Sequence, residues 1–261
     1  MSEQQKVGDV GREWREAVGR GDVVVLDGFH ALKHALRFGA GVELVVADDP
    51  DSVRALAREL APDVAPELDR LLRQGPLAEL LPRVHPTGVA ALAPRPATAP
   101  TGPRRAPVVL LDNPRNLGNV GAVVRLAAGF GADAVLTRGD LDPWHPNVVR
   151  AGAGLHYATT VGRLGPGDLD ELPPGPVYAL DPEGEDIRTL ALPDDAVLAF
   201  GSERHGISPE LRARADHLVS LPMRPQVSSY NLATSVAMTL FHWGGPRPAE
   251  DADTTAGRAG L

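Results

Sequence analysis

Residues 111–136 read LDNPRNLGNVGAVVRLAAGFGADAVL. An apolar run ends in a turn rich in glycine and asparagine, a helical pattern follows, and a second apolar run closes the stretch. Strand, turn, helix and strand in that order make one unit of a parallel α/β sheet, whose ligands sit beyond the carboxyl ends of the strands. The turn after Leu111 is therefore a candidate site. A dinucleotide fingerprint there needs G-x-G-x-x-G and an acid at the end of the second strand. The glycines present are Gly118 and Gly121, and the second strand ends in Thr137 and Arg138, so a nucleotide-dependent oxidoreductase has little support. The turn does place Asn119 at the helix start and Arg125 inside the apolar run AVVRLAAGF. Such an arginine is either a surface or interface residue in a salt bridge, or a cation aimed at a phosphate or a developing oxyanion.

Six short apolar runs follow residue 107: Val108–Leu111, Ala134–Thr137, Tyr157–Val161, Val177–Leu180, Ala196–Phe200 and His217–Leu221. Helical or turn patterns separate them, which predicts a parallel sheet covered on both faces. Besides the first loop, two more carry unusual residues. LAFGSERHGISPEL runs from a strand into Gly201, Ser202 and Glu203, then Gly206, with Ser208-Pro209 as a cap and first-turn pair for the next helix. LPMRPQVSSYNLATSVAMTLF leaves a strand at Leu221, bends through Gln226, Ser228, Ser229 and Asn231, and enters an apolar helix expected over 229–243. Taken singly, Glu203 reads equally as an exposed turn residue, and Ser228 or Ser229 as a helix cap.

Upstream, residues 93–107, APRPATAPTGPRRAP, hold five prolines and no apolar periodicity, and read as a semi-extended linker. Before it, Asp22–Leu26 and Val42–Val46 predict strands, and GFHALKHALRFGAG predicts a helix with Phe29, Leu32 and Leu36 on one face. His30, Lys33, His34 and Arg37 fall on the other face, either as a solvated stripe or as an RNA-phosphate contact. Two or three helices are expected between Ser52 and Leu81. The polar tail 244–261 is expected to be disordered.

The chain of 261 residues, 43% hydrophobic, is long enough for one large core or two modest ones. It contains no cysteine, which excludes disulfides, thiolate metal sites and cysteine nucleophiles and is compatible with a cytoplasmic setting. No apolar run approaches the roughly 18 to 20 residues of a membrane helix, and MSEQQKVGDVGREW has no export-signal core. The net charge of −8 argues against a nucleic-acid partner overall, but local basic patches act within about 10 Å. No G-x-S-x-G nucleophile elbow is present, so hydrolysis by a serine has little support.

The three loops together, NxGAxxR, GSExxGIS and LPM…SSYNLATSVA in that order, resemble the SpoU (TrmH-like) branch of the SPOUT RNA methyltransferases. The resemblance covers roughly residues 108–243. More loosely, LDGFHALKHALRFGAGVELVVAD and HPTGVAAL are similar to the small α/β substrate-binding domain that often precedes the catalytic one. This resemblance implies an N-terminal RNA-binding domain over 1–92, a linker over 93–107, and a catalytic domain over 108–243 folded as a SPOUT α/β knot. A deep trefoil knot is something no general rule of chain topology would suggest. The implied activity is transfer of a methyl group from S-adenosylmethionine to a ribose 2′-hydroxyl of ribosomal or transfer RNA, ribosomal RNA being preferred, by a homodimer without metal. The implied catalytic residues are Arg125, Asn119, Glu203, Ser229 and Asn231, with Glu203, Ser229 and Asn231 orienting Arg125. The implied cofactor contacts are Phe200, Gly201, Ser202, Gly206, Ile207, Leu221, Met223, Ser229 and Leu232. The implied RNA contacts are Lys33, Arg37, Arg115, Arg125 and Arg150, with Arg104 and Arg105 adding to the positive field. A catalytically weak RNA-binding module of the same fold is the alternative. Two features depart from the common pattern: the longer first loop NPRNLGNVGA, and Tyr230 where leucine is commoner.

Overall fold

The strand Val108–Asp112 (β5) is buried along its whole length, and its side chains alternate between two cores. Val108 and Leu110 enter one cluster with Ala134, Leu136, Val177 and Ala199, while Val109 and Leu111 enter the other with Val120, Val124 and Leu198. A strand apolar on both faces belongs at the centre of a parallel sheet covered on both sides. The computed structural model, which describes residues 3–96, 104–165 and 168–245, places it there.

Its companions are β6 (Ala134–Arg138), β7 (Thr160–Arg163), β8 (Val177–Asp186), β9 (Val197–Phe200) and β10 (His217–Ser220). The order is β10-β8-β9-β5-β6-β7, and all neighbouring pairs are parallel. Each of the six apolar runs becomes a strand. The third starts later than its hydrophobicity suggests, because Leu155–Tyr157 forms a 3-10 turn and Thr160 opens the strand. Tyr157 is drawn off the sheet by its ring contact with Trp144, 5.5 Å between centroids, and by donating its hydroxyl proton to Pro94 O. The helices of this unit are α6 (Leu117–Phe130), α7 (Pro146–Ala151), α8 (Pro209–Arg214) and α9 (Leu232–Trp243).

The first unit has its own four-stranded sheet, β1 (Val23–Asp27), β2 (Leu44–Ala47), β3 (Leu72–Gln74) and β4 (Val89–Pro94), in the order β1-β4-β2-β3. Helices α2 (Phe29–Arg37), α3 (Pro50–Leu60), α4 (Ala65–Leu71) and α5 (Leu77–Leu80) connect it. An N-terminal helix, α1 (Glu3–Arg20), lies across one face and buries Val10, Trp14 and Ala17 against Leu44, Val46 and Leu92. Sequence reading did not foresee α1, β3 or β4. β4 is the central strand, antiparallel to both neighbours, yet its residues are VAALAP, alanine-rich and ending in proline. Such a composition carries little strand propensity, and burial on both faces supplies what propensity does not.

β4 runs through Ala93 and Pro94, inside the span that reads as linker. Residues 97–103 of that span and 246–261 of the tail lie outside the described residues. Just past the strand, Arg95 reaches the second unit, bonded to Asp142 at 2.9 Å and lying over the Trp144 ring at 5.8 Å. No described helix is long and apolar enough to cross a membrane.

Candidate active site

Three loops meet at the carboxyl ends of β5, β9 and β10. Each is fixed by a cap written in its sequence. Asn116 caps α6 by accepting from Asn119 N at 3.1 Å, Ser208 caps α8 by accepting from Leu211 N, and Asn231 caps α9 by accepting from Ala233 N at 2.9 Å. Asn119 then ties three loops together. Its Nδ2 donates to Glu203 Oε1 at 2.9 Å, and its Oδ1 accepts from Asn231 Nδ2 at 3.1 Å. Glu203 also accepts from the backbone N–H groups of Arg115 and Asn116. Burial alone would raise the Glu203 carboxyl, but the Asn119 side chain and these backbone donors outweigh it and hold the group below its usual range. Glu203 is thus a carboxylate that pins the first loop to the second.

The glycine and asparagines of the opening turn are taken up by packing and capping within the protein. A Cβ on Gly121 would stand 2.5 Å from both Ala151 Cβ and Val148 O, so this glycine is where α6 and α7 touch. Beneath the turn lies a charged pair that sequence reading missed. Asp112 is fully buried, bonds Arg138 Nη1 at 3.0 Å and accepts from Ser208 N at 2.7 Å, while Arg138 also reaches Ser208 Oγ at 2.8 Å. Asp112 and Arg138 are direct partners in the β5/β6 register. The TR that disqualified the dinucleotide fingerprint is half of this pair, which links the first loop to the cap of α8.

Beside Asn119 and Glu203 opens a cavity of about 620 Å³. Phe200, Gly201, Ser202, Gly206, Ile207, Leu221, Met223, Ser229 and Leu232 all line it. This volume lies within the range of small-molecule sites. The wall is closed by Gly201, where an added Cβ would fall 1.9 Å from the Gly206 carbonyl carbon, and by paired bonds between Ser202 and Gly206. Leu180, Asp181 and Pro182 also line it. They lie within β8, at and beyond the end of the apolar run Val177–Leu180, where the pairing with β10 shifts register between Leu218 and Val219, and not in any of the three loops that the sequence singles out. Asp181 and Glu183 hold Arg212, another lining residue, in an ion-pair cluster.

The remaining candidates scatter. Arg125 is exposed on α6, makes no hydrogen bond or ion pair among the described residues, and does not line the cavity. Glu203 and Asn231 bond Asn119 rather than Arg125, so within one chain they orient the turn and not the arginine. Ser229 faces the cavity. Of the basic candidates, Arg37 is held by both oxygens of Asp63 at 2.6 Å, Arg150 is paired with Asp27, and Arg104 is taken up by the carbonyls of Pro174, Asp195 and Ala196. Lys33 and the Arg115 side chain have no such partner among the described residues.

Comparison with known proteins adds a family. Residues 106–241 match the model described as the SpoU rRNA Methylase family. The chain is 26% identical over 259 residues to the 23S rRNA (uridine(2479)-2′-O)-methyltransferase of Streptomyces viridochromogenes, covering 88% of this chain and 87% of that one. It is 36% identical over 127 residues to ribosomal RNA small subunit methyltransferase G 2 of Syntrophobacter fumaroxidans, covering 48% of this chain but only 24% of that longer relative. Among solved structures, the SpoU methyltransferase AviRb of Streptomyces viridochromogenes in complex with AdoMet superposes with a TM-score of 0.72 at 22% identity, covering 90% of this chain and 96% of that one.

Proposed function

The chain belongs to the SpoU rRNA methylase family, and from that premise we propose that it methylates a ribose 2′-hydroxyl of RNA with S-adenosylmethionine as donor, ribosomal RNA being the favoured substrate. The observation that carries this reading is the convergence of three sequence-distant loops on Asn119, whose partner Glu203 lines one cavity. The cavity fits the donor chemically. Phe200, Ile207, Leu221, Met223 and Leu232 supply apolar walls for an adenine and a thioether chain, and the close-packed Gly201–Gly206 loop supplies backbone groups free of side-chain bulk. When bound there, S-adenosylmethionine supplies an electrophilic methyl group on a sulfonium.

The protein's task is then to align and activate a poor nucleophile, an alcohol. Arg125 remains protonated, as arginine does in proteins, so it serves as a clamp on the adjoining phosphate and as a stabiliser of the developing alkoxide rather than as a proton acceptor. Asn119, held from two sides by Glu203 and Asn231, sets the start of the helix that carries Arg125.

This reading includes a homodimer. Arg125 lies off the cavity of its own chain, and Tyr230, which lines the cavity, Val227 of the same loop and Phe241 on α9 are exposed apolar residues. A second copy covering them would bring one chain's Arg125 toward the other's cavity. A cytoplasmic site of action is part of the same proposal. The deciding experiment is incorporation of labelled methyl from S-adenosylmethionine into RNA lacking its own 2′-O-methyl groups, with Arg125→Ala as control. Label in one RNA class, lost in the variant, is expected; failure to bind S-adenosylmethionine would remove the reading.

A further inference from the structure

The two units meet along one seam. Gly154 lies against the backbone of Ala31 in α2, His34 Nδ1 bonds Ala153 O at 2.7 Å, and Asp27 pairs with Arg150. On the other side of that segment, α7 packs on α6 through Gly121. A continuous stack therefore runs from α2 through residues 148–154 to α6, and it fixes where His30 on α2 stands relative to Arg125 on α6.

The charges at this place are one-sided. The groups whose charge acts on His30 are Lys33, His85 and Arg125, and all are basic. His85 comes from the loop before β4. It is anchored through Nδ1 to Thr87 Oγ1 at 2.8 Å, with its ring in the space a side chain at Gly28 would need. Thr87 in turn accepts from Phe29 N at the start of α2. Of the carboxylates of this region, Asp27 pairs with Arg150 through one oxygen, and Asp63 is held by Nε and Nη2 of Arg37 while also lying within reach of the Lys33 charge. His34 is turned to Ala153 O, and the neighbouring His156 is buried. In a chain of net charge −8, four basic side chains gathered with no carboxylate hydrogen-bonded to any of them among the described residues favour an anion brought by a ligand.

Resting on the methyltransferase reading, we propose that His30, Lys33 and His85 of the first unit and Arg125 of the second form one composite site for RNA backbone phosphates. The strand that presents the target ribose is thereby gripped by both units at once. Partial desolvation by its neighbours, and then the charges of Lys33, His85 and Arg125, hold the His30 imidazole below its ordinary value. A phosphate placed there favours the imidazolium, so RNA binding takes up a proton and tightens as pH falls.

The test uses the full chain and in vitro transcribed 23S rRNA as probe, in filter binding at fixed ionic strength. Wild type is expected to bind about fivefold more tightly at pH 6 than at pH 7.5, within the limit set by uptake of one proton. His30→Gln, at an exposed position, is expected to flatten that dependence, and His85→Gln to reduce it. Lys33→Ala is expected to lower the slope of log affinity against log salt by about 1. S-adenosylmethionine affinity, measured by calorimetry, is expected to stay unchanged in all three. If His30→Gln and Lys33→Ala leave the pH dependence and the salt slope as in wild type, the composite site is overturned, even if methyl transfer proceeds. If the pH and salt effects appear as stated but no methyl is ever transferred, the site stands and the methyltransferase reading fails.

Discussion

Acid should destabilise this protein through one histidine. His156 is buried under Trp144, 5.0 Å between ring centroids, and donates from Nε2 to Pro143 O at 3.0 Å. Its Nδ1 has no hydrogen-bond partner among the described residues and faces Gly152. Burial therefore holds the ring neutral and lowers its pKa from 6.5 to about 4. The unfolded chain takes up the proton as pH drops below 6.5, whereas the folded chain does so only near 4. Folding stability thus falls with pH across this window, and the loss is complete only below the folded value. From about pH 7 to about pH 5 the loss is about 2 kcal/mol, approaching about 3 kcal/mol at lower pH, at about 1.4 kcal/mol per pKa unit. Urea titrations followed by tryptophan fluorescence at the two pH values measure it. Other groups also titrate, so the comparison is with His156→Gln, which keeps a donor for Pro143 O but cannot gain a proton. The variant should be less stable at neutral pH and lose about 2 kcal/mol less on acidification. Equal losses in the two proteins would refute the buried, neutral state of His156. The consequence reaches the seam, since the loop from Gly152 to Tyr157 holds α2 against the second unit.

Three further outcomes are expected. Asn119→Ala cuts the link between Glu203 and Asn231 without emptying any core, so methyl transfer should fall about 100-fold while the melting temperature moves little; steady-state kinetics beside a thermal melt would decide. Asp112→Asn removes the fully buried carboxylate that bonds both Arg138 and Ser208 N and should cost about 3 kcal/mol of stability, read in urea, together with weaker S-adenosylmethionine binding. Gly201→Ala should close the cavity by collision with Gly206 and abolish cofactor binding, yet mixing it with Arg125→Ala should restore transfer above either parent if one chain's arginine serves the other's cavity. No recovery in hybrids shown to have formed would count against the shared site.

What the sequence by itself determined is the strand–turn–helix grammar of the second unit, which is local; the cavity residues it named rest on the resemblance of three loops to a family, and Leu180, Asp181, Pro182 and Arg212 were not among them. Parallel strands buried on two faces announce themselves as apolar runs, and Ser208 caps the helix it precedes, as its sequence reads; Asn116 and Asn231 take the caps of α6 and α9 where the sequence suggests Asn119 and Ser228 or Ser229. Tertiary structure alone decided the rest, because it depends on which distant residues become neighbours. Nothing local says that Asp112 will face Arg138, that Glu203 will grip Asn119 rather than Arg125, or that Arg37 and Arg150 will be used up by Asp63 and Asp27. β4 shows the same limit in the fold, since alanines and a proline become a central strand only because two neighbours and two cores close over them. A charge or a weak strand takes its role from its partner, and partners 26 to 123 residues away are chosen by packing.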